Sequence, residues 1–197
     1  MMLNLFLLLL FEWGCICLAL KTYTITGYAG TGTASYTGDN GAASAATLSY
    51  PVDVSLDTSS NLFIVLQGAH CIKKIDLTAK ITTYLGSCGS GGYTEGTPSN
   101  ARFTNLNGLY IDSQSKMYIA DSGSNRIRMF DPDSLTGVFT YCGGGTLTED
   151  GIASTAALVY GPHSVWVNTV GILVYSEAYH RIRILQNGLV YTIAGSI

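Results

Sequence analysis

The stretch ARFTNLNGLYIDSQSKMYIADSGSNRIRMFD, residues 101–131, carries three short apolar runs: Leu109-Tyr110-Ile111, Met117-Tyr118-Ile119 and Ile127-Arg128-Met129-Phe130. Polar clusters separate them, Asp112-Ser113-Gln114-Ser115 and Asp121-Ser122-Gly123-Ser124-Asn125. Runs of this length, rich in aromatic and β-branched residues and bounded by Asp, Ser, Gly and Asn, predict a three-stranded antiparallel meander. Such a meander buries too little surface to stand alone, so its neighbours decide the fold.

Two relatives of the stretch lie in the same chain, ATLSYPVDVSLDTSSNLFIVLQGAHCIKKID at 46–76 and AALVYGPHSVWVNTVGILVYSEAYHRIRILQN at 156–187. Leu48, Phe103 and Leu158 align in one apolar slot, and Asp57, Asp112 and Asn168 end the first strand. His70, Asn125 and His180 share a loop position, and Lys73, Arg128 and Arg183 share a place in the third strand. A fourth element ends at Gly30, Gly86, Gly143 and Gly195, at intervals of 56, 57 and 52 residues. A four-stranded antiparallel unit of that length, repeated, predicts an all-β fold of propeller blades that bury their faces only against sister blades. Blade 1 spans about 46–86, blade 2 about 101–143 and blade 3 about 156–195, with 22–28 an outer strand of a missing or neighbouring blade. The connectors between blades are long and rich in small residues. They are expected on a rim, as the surface that meets ligands.

With 12% charged residues, a net charge of −3, 23 glycines and 13 tyrosines, the composition excludes a disordered chain. It also argues against nucleic acid as the main partner. Residues 1–20 differ from the rest: an apolar block over Leu3–Phe11 precedes the small residues Cys15, Cys17 and Ala19. This pattern predicts a signal peptide and a secreted or extracellular protein; the alternative is a membrane anchor over residues 3–20, which Glu12 would make costly. Beyond the leader, Cys71, Cys88 and Cys142 make an odd set, open to one bridge plus a free thiol or to three buried thiols.

The elements ARFxxLNGLYID and MYIADSGSNRIRMFD, with the connector YTGDNGAASAATLSYP, resemble the NHL family of β-propellers in its long-repeat form. The resemblance covers roughly residues 22–197. Blade 1 departs most, with Leu66 and Cys71 where blade 2 has Asp121 and Arg126. Proteins of this family serve most often as binding platforms for protein or RNA, and a few relatives are lyases, so the resemblance implies fold far more sharply than function.

Six of the ten basic residues fall on third strands: Lys73, Lys74, Arg126, Arg128, Arg181 and Arg183. They read either as a basic stripe for RNA or as hairpin partners, Asp121 with Arg126 and Glu177 with Arg181. Recurrence at one blade position favours the structural role. His163 begins the third inner strand; with Asn107 and Asp53 it forms the expected ligand-facing set at the mouth of the central channel. One imidazole is too few for zinc, and the matched positions, Val52 and Asn107, cannot supply the further histidines that lyase relatives use there. The acidic turns Thr37-Gly38-Asp39-Asn40-Gly41 and Thr148-Glu149-Asp150-Gly151 lack calcium-loop spacing. No cofactor or metal is expected.

Three blades fall short of the usual four to eight. The expectation is a fragment of a longer propeller, with a pair of half-propellers formed by self-association, or an open arc, as alternatives. The function expected is a non-catalytic secreted or surface-exposed module that binds a protein or other ligand. A lyase or hydrolase acting at the channel mouth and an RNA-binding propeller are the alternatives.

Overall fold

The computed structural model describes residues 8–11, 14–17 and 26–195. Two leader segments pair as an antiparallel hairpin, β1 (Leu8–Phe11) and β2 (Gly14–Cys17). Most of the signal peptide read over 1–20 lies outside the described residues, as do 22–25 of the expected outer strand; Thr26–Tyr28 are irregular.

The rest is an all-β arc of three antiparallel sheets. Blade 1 runs β3 (Pro51–Leu56), β4 (Leu62–Leu66), β5 (Cys71–Ile75) and β6 (Ile81–Leu85); blade 2 runs β7 (Leu106–Ile111), β8 (Met117–Asp121), β9 (Arg126–Phe130) and β10 (Val138–Gly143). Blade 3 begins with a two-residue edge strand, β11 (Ile152–Ala153). It continues through β12 (Pro162–Val167), β13 (Leu173–Glu177), β14 (Arg181–Gln186) and β15 (Leu189–Ala194). The four main strands of each blade neighbour one another in chain order, β11 adds to the outer edge of blade 3 beside β15, and the inner strands β3, β7 and β12 pack side by side.

The first hairpin of every blade is set by one piece of turn chemistry. Oδ1 of Asp57, Asp112 and Asn168 accepts the backbone N–H groups two and four residues on. Ser60, Ser115 and Gly171 then turn the chain through left-handed φ values. A short polar side chain that mimics a backbone turn explains why this position is Asp or Asn each time.

The core lies between blades. Phe63, Val65, Ile72 and Leu85 of blade 1 meet Leu109, Ile111, Met117 and Ile119 of blade 2. Tyr118, Ala120 and Ile127 of blade 2 meet Val165, Val167, Leu173 and Tyr175 of blade 3. A central strand covered on both faces loses the in–out alternation, and every residue of β8 is buried. The apolar slot expected from Leu48, Phe103 and Leu158 is filled by Val159 in blade 3; Val159 is buried while Leu158 is only partly so. Gly86 and Gly143 fix that slot. Both are left-handed, φ +87° and +98°, and a Cβ there would strike Phe103 and Val159 respectively. Val159 stands nine residues before Asn168, as Leu48 and Phe103 stand nine before Asp57 and Asp112, which places the third slot one residue later than expected.

Among the described residues no sister blade covers the two end faces. Val52, Val54 and Leu56 of β3 are 44%, 58% and 60% exposed, and Trp166 and Ile193 of blade 3 are 51% and 55% exposed. The counterparts of Val54 and Leu56 inside the arc, Leu109, Ile111, Val165 and Val167, are all buried, and Tyr110, the counterpart of Trp166, is partly buried.

Candidate functional site at the mouth of the arc

Equivalent second positions of the inner strands are Val52, Asn107 and His163, and a polar relay crosses the blades there. Gln67, in the turn after β4, donates Nε2–H to Asn107 Oδ1 at 2.5 Å, and Asn107 Nδ2 lies 3.3 Å from His163 Nδ1. The three blades thus each contribute one contact to a line of amide, amide and imidazole, with His163 exposed to solvent at its end. Gly108 makes the approach of the strands possible, since a Cβ there would sit 2.5 Å from the His163 carbonyl oxygen. Gln67 is the member that sequence reasoning missed.

Asp53, expected to face a ligand, is tied into the junction of blades 1 and 2. Its Oδ2 accepts the Leu109 N–H at 2.7 Å and its Oδ1 accepts the Val54 N–H. Both oxygens are engaged in tying the inner strand of blade 1 to that of blade 2. His70 and Asn125 act as similar joints: each sits in a left-handed turn and accepts a backbone N–H from the following blade, Asn105 to His70 Nδ1 and Gly161 to Asn125 Oδ1. His180 holds the same left-handed position in blade 3, where it is exposed. Beside it, Tyr160 and Tyr179 stack face to face, 3.9 Å between ring centroids and 6° apart in plane. They are 38% and 50% exposed at the same end of the blade as His163.

The third-strand cations do not form a surface stripe. Lys73, Arg128, Arg181 and Arg183 are buried, and a buried charge requires partners. Lys73 donates to Asp39 and to Thr83 of the outer strand. Arg128 meets Asp121 at 3.1 Å and the Thr94 carbonyl oxygen at 3.1 Å. Arg183 donates to the Glu149 carbonyl and lies 3.5 Å from Asp150. Asp121 therefore pairs with Arg128 and not, as the spacing suggested, with Arg126. Arg126 shares that face of β9 with Arg128, but its guanidinium stacks over the Tyr93 ring at 4.1 Å and donates to the Ser124 carbonyl oxygen. Glu177 does receive Arg181 Nε.

Of these partners Asp39, Thr94, Glu149 and Asp150 come from the connectors. Each connector folds back along the outer strand of the blade that follows it. Asn40 N–H bonds Ile81 O, Gly96 pairs with Val138, and Gly151 N–H bonds Val190 O. The connector's carboxylate is then held by a threonine of that strand: Thr83 to Asp39, Thr140 to Glu95 and Thr192 to Asp150. Burial works against ionisation of Asp39 and Glu95. Hydrogen bonds outweigh it, from Lys73 and Thr83 in one case and from Thr140 and Tyr93 in the other, and hold both below their ordinary values of 3.8 and 4.5. Burial dominates at Asp121 and pushes it up, against the Thr104 N–H and Arg128. The clasp covers an otherwise open strand edge and neutralises a core cation in one move.

Cys71 and Cys88 form a disulfide, and Cys142 is a buried thiol pushed up to about 12 by desolvation. Among the described residues no His, Cys, Asp and Glu cluster could hold a metal, and no helix is long and apolar enough to cross a membrane.

No known protein-family model matches the chain. Its architecture is that of β-propeller proteins. An auxiliary nutrient binding protein from Bacteroides ovatus superposes with a TM-score of 0.56 at 21% identity, over 72% of this chain and 37% of that one. Another from Bacteroides thetaiotaomicron gives 0.55 at 18% identity, over 72% and 37%. In sequence, the chain is 27% identical over 95 residues to Protein SUPPRESSOR OF QUENCHING 1, chloroplastic, of Arabidopsis thaliana, a match covering 48% of this chain and 9% of that protein. The chain thus spans little more than a third of the solved structures it resembles, and a small part of the plant protein.

Proposed function

We propose that this chain is a non-catalytic binding module of NHL type that works in an oxidising compartment, secreted or at the cell surface. It engages a protein partner with the mouth end of its blades. The observation that carries the reading is the stacked, half-exposed Tyr160–Tyr179 pair at the same end of blade 3 as the exposed His163. Exposed aromatics held rigid by stacking are the anchors that interfaces favour. The repeat's resemblance to NHL propellers supports the family reading, and the Cys71–Cys88 bridge supports the compartment. The nutrient-binding role of the two Bacteroides proteins is a further support for a binding role outside the cytoplasm.

The test is crosslinking capture from extracellular and surface fractions with the wild type beside a Tyr160→Ala/Tyr179→Ala variant. The expected result is a partner captured by the wild type and lost from the variant, with both proteins equally folded by circular dichroism. Identical capture by the two, or protein confined to the cytosol, overturns the proposal.

A further inference from the structure

At the opposite end of the blades a cleft of about 290 Å³ opens between blades 2 and 3. Tyr110 and Tyr118 wall it, and Asp112, Gln114, Lys116 and Asn168 supply its polar rim. The same junction between blades 1 and 2 keeps the turn aspartate, Asp57 for Asp112, but is built differently around it. Ser55 and Phe63 stand where the tyrosines stand, which removes both phenols. Asn61 replaces Lys116, and its Nδ2 donates to Asp57 Oδ2 at 2.7 Å, so that carboxylate is fully engaged. The hydroxyls of Thr58 and Ser115 meet at 3.5 Å and tie the two turns together.

Blade 2 has none of these closures toward blade 3. Lys116 turns to Asp131 at 3.4 Å, and Asp112 spends only Oδ1 on its turn. Gly171 replaces the serine that tied the turns. Among the described residues, Asp112 Oδ2, the Asn168 amide N–H groups and both phenols make no hydrogen bond within the chain. What the fold requires recurs from blade to blade; this cleft does not, so the fold does not require it.

The geometry points to this cleft as a binding site for a small neutral polyol, of the pyranose sugar class. A sugar ring lays an apolar face on an aromatic ring, and each hydroxyl both donates and accepts. The set of two phenols, two amides, an ammonium and a free carboxylate oxygen matches that pattern. An anion would face Asp112 and Asp131; a cation would face Lys116.

The experiment is saturation-transfer NMR with D-glucose, D-galactose, D-mannose and N-acetyl-D-glucosamine as probes, followed by titration of the Trp166 fluorescence. Trp166 lies 6.1 Å from Tyr110, centroid to centroid, and reports occupancy. At least one sugar is expected to bind with a dissociation constant of about 1 mM. Tyr118→Phe and Tyr110→Ser copy the residues of blade 1 and so keep the fold, and each is expected to weaken binding about tenfold or more. His163→Ala, at the other end, is expected to leave it unchanged, which separates this site from the mouth. Absence of binding by all four sugars, or binding indifferent to both tyrosine variants, overturns the proposal.

Discussion

Replacing Asp121 by leucine tests how the arc tolerates a buried cation. Asp121 and Arg128 are both fully buried, and the carboxylate also accepts the Thr104 N–H at 2.9 Å. Blade 1 has leucine at the equivalent place, Leu66, so the side chain fits the fold. The variant strands the Arg128 charge on two carbonyl oxygens, of Thr94 and Arg102. Breaking a buried pair in this way costs about 3–5 kcal/mol, which for a chain of this size lowers Tm by about 6–20 °C. Removing the charge as well, in Asp121→Leu/Arg128→Met, is expected to restore most of the loss. Urea unfolding followed by circular dichroism and by Trp166 fluorescence gives both values. A single variant costing under about 1 kcal/mol, or a double variant no more stable than the single, refutes the reasoning.

Reduction of the Cys71–Cys88 bridge, which closes a 17-residue separation, is expected to cost about 3 kcal/mol in the same unfolding assay. Native alkylation mapped by mass spectrometry should leave Cys142 unmodified, since its thiol is buried and its pKa is pushed up to about 12. Asp39 and Glu95 titrate below their ordinary values in the folded chain. Their contribution is therefore complete at neutral pH and is lost as pH falls below about 4. Asp39→Asn should lower Tm at pH 7 and flatten its decline toward pH 3; Asp121, shifted upward, contributes with the opposite sign. Finally, the faces bearing Val54 and Trp166 repeat the surfaces that sister blades bury, so a second copy fits against them. Light scattering should show concentration-dependent dimers that Val54→Glu abolishes; a monomer at every concentration counts against this.

The blades were legible because Asp57, Asp112 and Asn168 do one backbone job in three places, and a job done by the backbone leaves a fixed spacing. The clasps were less so. Asp39, Glu95 and Asp150 lie 56 and 55 residues apart and Lys73, Arg128 and Arg183 lie 55 and 55 apart. That matched spacing was the available signal, hidden because the acid changes from Asp to Glu and its flanking residues differ. Asp53 looked like a mouth residue because position in the strand says where a side chain is rooted, not which amide it accepts. Gln67 escaped notice because its turn belongs to the blade that departs most from the others. The Tyr110 and Tyr118 cleft could not be read from one repeat at all; it exists only as a difference between two junctions.

The clasp also fixes where the chain can be cut and joined. Each connector covers the last strand of the blade that follows it, so the inherited cassette runs from one left-handed glycine to the next: Gly30–Leu85, Gly86–Cys142 and Gly143–Ala194. A blade 1 or blade 3 excised at the start of its inner strand leaves behind the acid that its core cation pairs with, Asp39 for Lys73 and Asp150 for Arg183, and a blade 2 cut there loses the Thr94 carbonyl that holds Arg128. Duplications and grafts that respect the glycines carry charge and counter-charge together, which lets such an arc gain blades without redesign of their interiors.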